Sequence, residues 1–377
     1  NRLRHDVISD KLQLRMEKPT PDPFLKDGGN SAAHKSFPSG EDLGEAVVWR
    51  EMTKQDINSI VCHCAQEYDT NITSREVITA LQSDLIPNVH PLREYVLSLR
   101  PYTPDQPDWI DMVASQVRIS PAPESATDRP KGLSERTACC QTTMLLDRPY
   151  GAERPTNLTG EAGLIVSEAH GLTSSSSQSE RSKADRLWRV CFKKWFVAMV
   201  ASWMKDEVVN HQVLVLIGKQ GIYKTTWLEH LIPPHLRAYA CKLANSNDLN
   251  KDERLRIAEF GLISLDEIDS MNNRELNQLK SVITATDVNE RAAYAYTKER
   301  RVRLASFCAS GNRRDFLTDI TGNRRWLPFE VESIQNPFTT ILPYERMYAQ
   351  AWALANDEFF SYWFDLDEIE VLEQHNQ

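Results

Sequence analysis

A mixed α/β fold built on a parallel-sheet core is the fold class this sequence predicts, and three stretches predict it. VLVLIGKQGIYKTTWLEHLIPP (213–234) reads as a buried strand from Val213 to Ile217, a tight loop from Gly218 to Tyr223, and a helix from Lys224 that Pro233 and Pro234 stop. FGLISLDEID (260–269) is a second apolar run, ending in acids, and the run that closes at Asn312 is a third. A mainly helical N-terminal module and a helical C-terminal tail are expected to flank this core.

The first sixteen residues, with HDVI and LQLRM around Ser9-Asp10-Lys11, predict a small β-hairpin, and residues 17–45, rich in Pro, Gly and Ser, predict a loop. Helices are expected over about 54–67 and from Thr73, where Thr73 and Glu76 form a capping-box pattern. His90-Pro91 opens another, and DWIDMVASQV follows Pro107 as a fourth, so 1–118 reads as one helical module. Residues 119–185 hold Pro, Ser, Thr, Gly and an SSSS run with little periodicity beyond GLIVS, and predict a flexible linker or insertion. The phosphate-loop core is expected over 186–335. Its leading helix spaces Leu187, Trp188, Phe192, Trp195, Phe196, Met199, Val200 and Trp203 three and four apart, which makes the tryptophans core rather than a base-stacking surface. Residues 336–377 are expected to be an acidic helical tail.

The chain has 377 residues, 41% of them hydrophobic, enough for two or three domains with proper cores. Its longest apolar stretch, WFVAMVASWM (195–204), is too short to span a bilayer and follows Lys193 and Lys194, so no membrane association is expected. No signal-peptide pattern is read at the start. The seven cysteines lack zinc spacing. Cys62 and Cys64 flank His63 and Cys139 adjoins Cys140, so buried free thiols in a reducing cytoplasm are the expectation. The net charge of −9 is uneven: Glu290 to Arg303 holds five basic and two acidic residues, whereas Glu345 to Glu373 holds eight acidic and one basic. A basic central segment can meet phosphates although the whole chain is acidic.

Backbone N–H groups of a glycine-rich loop and a helix N-terminus converge on one point and favour an anion there. Gly218, Lys224 and Thr225 are in register with G-x-x-x-x-G-K-[ST], and Gly221 and Thr226 complete the phosphate-contacting set. Lys224 would neutralise the β- and γ-phosphates, and Thr225 would hold Mg²⁺. Tyr223 stands where the second glycine belongs, and a bulky residue resists the positive φ that glycine takes. On the second strand, Asp266 would hold Mg²⁺ through water and Glu267 would orient and deprotonate an attacking water. The alternatives are an ordinary strand-to-helix turn and a solvated acidic turn.

RELNQLKSVITAT (274–286) predicts a helix capped by Asn272 or Asn273. Two β-prone runs follow, around Thr297 to Arg301 and up to Asn312. They put Tyr294, Tyr296, Lys298, Arg300 and Arg301 at a hairpin tip, where rings and cations suit single-stranded DNA. A solvated charged turn over packed tyrosines is the alternative there. Asn312 would bond γ-phosphate and lytic water. Arg324 or Arg325 would reach into a neighbour's site, or serve instead as a structural salt-bridge partner, with Arg313 and Arg314 competing for the same role.

The order GKQGIYKTT, SLDE, a basic tyrosine-bearing hairpin, CASGN and TGNRRW resembles the virulence-associated protein E family, the primase-helicase-like ATPases of phages, pathogenicity islands and mobile elements, in a form similar to those of Bacteroides-type bacteria. The resemblance is strong over about 186–335, looser over 54–118, and does not cover 120–183. It implies a P-loop NTPase core similar to superfamily 3 helicases of the AAA+ class, assembled as a homo-hexamer with ATP between subunits. By that likeness Lys224 and Thr225 match the Walker A pair, Asp266 and Glu267 the Walker B pair, Asn312 the sensor asparagine, and Arg324 and Arg325 the finger candidates. The hairpin bearing Lys298 matches the DNA-tracking element. The implied function is an ATP- and Mg²⁺-dependent DNA helicase, or the helicase half of a primase-helicase, moving on single-stranded DNA during replication of a phage, plasmid or other mobile element. Tyr223 favours the alternative of a nucleotide-gated initiator or loader with little hydrolysis. No cluster of paired carboxylates and zinc ligands marks the N-terminal module, so priming, if it occurs, is expected on another chain, a separate primase, or in an upstream region.

Overall fold

The computed structural model describes residues 3–15, 49–83, 86–120, 175–243, 251–290, 299–313 and 324–376. They belong to two compact units, Asn1–Glu94 and Tyr95–Gln377.

In the first unit β1 (Leu3–Asp6) and β2 (Lys11–Arg15) form the expected hairpin, flanked by β3 (Trp49–Glu51) antiparallel to β2 and β4 (Asn88–Val89) parallel to β1. The turn is held by the buried Asp6 carboxylate, which accepts the Ile8 N–H at 2.9 Å and the Ser9 hydroxyl at 2.6 Å. Helices α1 (Lys54–Tyr68) and α2 (Ser74–Leu81) each start at a capping box, Thr53 with Asp56 and Thr73 with Glu76. The thiols of α1 correct an expectation: Cys62 is exposed and Cys64 half-buried, because α1 buries none of its residues completely. Helix α3 (Pro91–Ser98) opens at His90-Pro91 as predicted.

The second unit follows with α4 (Trp109–Ala114), β5 (Val117–Ile119), α5 (Ser175–Met204), β6 (Val213–Ile217), α6 (Lys224–His230), β7 (Ala240–Leu243), α7 (Lys251–Glu259), β8 (Leu262–Leu265) and α8 (Asn273–Thr284). A hairpin of β9 (Asp287–Glu290) and β10 (Glu299–Val302) comes next, then β11 (Ser306–Gly311), β12 (Trp326–Ile334), α9 (Tyr344–Ala355) and α10 (Leu366–His375). Six of these strands form one sheet in the order β5-β12-β6-β11-β8-β7, parallel except for β5 at one edge. The run ending at Asn312 is therefore a core strand of this sheet, and β10, which overlaps the run expected around Thr297 to Arg301, pairs with β9 instead. Asn272 caps α8 through a full capping box with Glu275.

Residues 95–119, expected with the N-terminal module, pack in the second unit because β5 pairs with β12 more than two hundred residues away. Local pattern cannot reveal such a partner. Most of the predicted linker lies outside the described residues, but its last part, from Ser175, is already helical as the start of α5.

Helix α5 carries the sheet on one face. Trp188, Trp195 and Trp203 are fully buried, and their indole N–H groups donate to the carbonyls of Ala114 (2.9 Å), Phe307 (3.1 Å) and Gly261 (3.1 Å). The spacing that marks them as core also satisfies their one polar atom, and losing any of these rings would cost about 3–5 kcal/mol. The acidic C-terminal stretch is part of this body rather than an appended tail. Met347, Tyr348 and Ala351 of α9 are fully buried, Glu368 of α10 accepts Lys194 of α5 at 2.6 Å, and the Asn376 side chain donates to Trp326 at 3.1 Å. Among the described residues, no helix is long and apolar enough to cross a membrane.

Candidate functional site

Three adjacent parallel strands, β6, β11 and β8, end at the same edge of the sheet. Ala309 is level with both Val215 and Leu265, and the Gly218 N–H donates to Gly311 at 3.1 Å. Parallel strands present their functional loops at the carboxyl edge. Here that rule collects the 218–223 loop, Asp266 with Glu267, and Asn312.

The loop turns tightly on residues held in glycine-like backbone conformations. A Cβ on Gly218 would stand 2.7 Å from the Val331 carbonyl oxygen, so no larger residue fits against β12. Gly221 has φ 86°, and Tyr223 takes φ 67°, ψ 18°, the left-handed conformation expected of a glycine. Tyrosine thus adopts the geometry that its bulk was expected to resist, at a cost of roughly 1–2 kcal/mol. Four described non-glycine residues have positive φ. Two are aspartates at turns of the first unit, and the other two, Tyr223 and Glu267, lie at this edge. Such strain gathers at functional sites.

Behind Tyr223, Lys224 is only 8% exposed and its ammonium donates to the carbonyls of Gly218 and Lys219, both at 2.7 Å. Burial pushes its pKa below the ordinary lysine value, while Asp269 and Asp266 pull it back up. Next to it the Thr225 hydroxyl lies 3.1 Å from Asp266 Oδ1 and 2.9 Å from the Ser310 hydroxyl, and Ser310 donates to the same Asp266 oxygen at 2.7 Å. The other Asp266 oxygen meets Lys242 Nζ at 2.7 Å. Partial burial would raise the Asp266 pKa, but the hydrogen bonds from Lys242, Ser310 and Thr225 hold it below the usual carboxylate value. A hydroxyl beside an ionised carboxylate is a hard-oxygen donor set, and it fits Mg²⁺, which takes one or two carboxylates and completes its shell with water and substrate phosphates.

Ser310, Lys242 and Asp269 escaped the sequence reading. Ser310 sits two residues before Asn312 on β11, Lys242 lies on β7, and Asp269 follows Glu267 by two; the acidic SLDEID run was the one local signal for any of them. One buried oxygen of Asp269 has no hydrogen-bond partner, and it lies 3.1 Å from where a Cβ on Gly311 would stand. Glu267 is exposed with φ 52°, and Asn312 and Arg313 are exposed at the end of β11.

The remaining candidates lie elsewhere. Arg324 and Arg325 precede Trp326, which is level with Val213, so they occupy the opposite edge of the sheet, roughly 20 Å from the loop along the direction of β6. Arg300, on β10, is paired with Asp287 of β9, and Arg301 lies 3.6 Å from Glu259, so both cations of the hairpin arm already have acidic partners. Tyr294, Tyr296, Lys298 and Arg314 lie outside the described residues.

No curated protein matches the chain. Three apo structures of the NrS-1 C-terminal region align with the whole chain and with 71% or 72% of their own length, at 10%, 12% and 11% identity and TM-scores of 0.39, 0.38 and 0.35. The virulence-associated protein E-like domain matches residues 172–377, more than half of the chain and nearly all of the sheet just described. The chain belongs to the virulence-associated protein E-like family.

Proposed function

We propose that the chain is a P-loop ATPase of AAA+ type that binds Mg²⁺-ATP at the 218–226 loop and couples its hydrolysis to movement along single-stranded DNA, as a helicase or the helicase part of a primase-helicase in the replication of a mobile element. The reading is carried by the contact among Thr225, Asp266 and Ser310, residues of three separate segments gathered on one carboxylate oxygen beside Lys224. Lys224, the loop N–H groups and Thr226 bind the phosphates, and Thr225 and Asp266 hold Mg²⁺, which offsets phosphate charge. Glu267 takes the proton of the attacking water and Asn312 orients that water. Arg324 and Arg325 are a strand's length from their own loop, so either acts as a finger only on another copy's site, which supports a ring, taken here as a homo-hexamer. The β9–β10 hairpin meets the DNA.

The test is the ATPase rate of the full chain with and without single-stranded DNA. DNA should raise the wild-type rate, Lys224→Ala should lose nucleotide binding, and Glu267→Gln should keep binding while losing about 10²- to 10⁴-fold in turnover. A rate indifferent to both DNA and Lys224 overturns the reading. The strained backbone at Tyr223 and Glu267 supports a second reading, a nucleotide-gated initiator or loader. Its mark is ATP binding that changes DNA affinity without phosphate release.

A further inference from the structure

We infer that Phe338 is the stacking platform for the base of the nucleotide whose phosphates the 218–226 loop holds. The inference rests on the phosphate-site reading and extends it to the other end of the ligand. Phe338 lies just past β12, the strand hydrogen-bonded to β6 on the side away from β11, with Glu330 level with Ile217 at the start of the loop. The chain leaving β12 therefore emerges at the same carboxyl edge, flanking the loop on the side opposite Asp266 and Asn312. The chemistry of hydrolysis occupies one side of Lys224, and the base needs a surface on the other.

The ring is held in place although it is 66% exposed. The Phe338 N–H donates to the Asn336 side chain at 3.0 Å, and the Thr339 and Thr340 N–H groups both reach the Asn336 carbonyl at 3.1 Å, closing a turn that fixes the backbone on either side. Two other rings stand nearly perpendicular to it. Tyr223 of the loop is 6.4 Å away at 80°, and His230 at the end of α6 is 5.4 Å away at 86°. His230 is itself anchored through Nδ1 to the Thr226 carbonyl at 2.7 Å. An aromatic ring mounted rigidly and left open is poor packing and a good base platform, since every base offers a π-face. Tyr223 then has a use that glycine would lack: it links the phosphate loop to the platform.

Stacking is tolerant of base identity, so ATP and GTP should bind with similar affinity. The experiment is calorimetric titration of the full chain, in Mg²⁺, with ATP and with inorganic tripolyphosphate. Phe338→Ala should weaken ATP by about 5- to 100-fold and leave tripolyphosphate unchanged, the span expected for loss of one stacking partner. Phe338→Trp should retain ATP affinity, and its added fluorescence should respond to ATP and not to tripolyphosphate. Equal loss of both ligands in Phe338→Ala, or no loss of ATP, overturns the platform, as does an added fluorescence in Phe338→Trp that ignores ATP. A wild-type chain that binds neither ligand, or a Lys224→Ala variant that binds both as tightly as wild type, overturns the phosphate site itself, so the two failures are told apart.

Discussion

Replacing Arg303 with methionine removes a cation that the fold buries among backbone carbonyls. Its guanidinium is 1% exposed and donates to the carbonyls of Asn210 (2.9 Å), Ala305 (3.1 Å), Ala285 (3.2 Å), Val282 (3.4 Å) and Ile283. Three of these belong to the C-terminal end of α8, where the helix dipole is negative. Burial pulls the pKa down to about 9, so charging the group in place works against the fold, yet it stays charged at neutral pH. Removing it leaves five buried carbonyls without the charged donor they share, and hydrogen bonds to a charged group are worth about 1.5–3 kcal/mol each. Methionine keeps most of the volume but orphans the carbonyls, so a net loss of about 3 kcal/mol is expected, with Arg303→Lys losing less because an ammonium keeps three donors. Urea unfolding followed by tryptophan fluorescence reads the difference, Trp195 and Trp203 lying in the same core. If methionine costs under about 1 kcal/mol, or is better tolerated than lysine, Arg303 does not anchor the root of the β9–β10 hairpin.

The left-handed backbone at Tyr223 predicts that Tyr223→Gly changes stability by no more than about 1 kcal/mol, whereas Tyr223→Val, β-branched at positive φ, loses about 2 kcal/mol or more. Equal urea midpoints for the two variants would refute the loop geometry. Burial lowers the pKa of both His211 and His235, His211 also facing the charges of Arg303 and Arg325 and His235 facing Glu345, which opposes the shift. With folded pKa values below the unfolded value, the unfolded chain takes up protons first as pH falls. The stability these neutral rings contribute is therefore complete above about pH 6.5 and lost as pH drops through their folded values. Unfolding free energies at pH 7.5 and 5 should differ less in His211→Gln combined with His235→Gln than in wild type, and an unchanged difference would count against the burial argument.

Much of the site was legible because its parts are local. A strand, loop and helix occupy about twenty consecutive residues, and the apolar runs before Asp266 and Asn312 identify themselves by length and composition. The tryptophan spacing of α5 and the caps at Thr73 and Asn272 depend on neighbours one or two turns away. What went astray was non-local. DVNE has no β signature, so only one arm of the hairpin, β10, is legible and its partner β9 is not. The acidic stretch read as a tail because nothing in it announces that Lys194 and Trp326 await Glu368 and Asn376.

Reading residues in order was enough to establish an α/β core, its strand-loop-helix at 213–230 and the identities of Lys224, Thr225, Asp266 and Asn312 as candidates, since periodicity and spacing act over a few residues. Packing alone settled that their strands end at one edge, that Ser310 and Lys242 complete the carboxylate's partners, that Arg324 and Arg325 lie at the opposite edge, and that Phe338 stands beside the loop. Strand order and atom-to-atom partnership are set by contacts between segments tens to hundreds of residues apart, which no local pattern encodes.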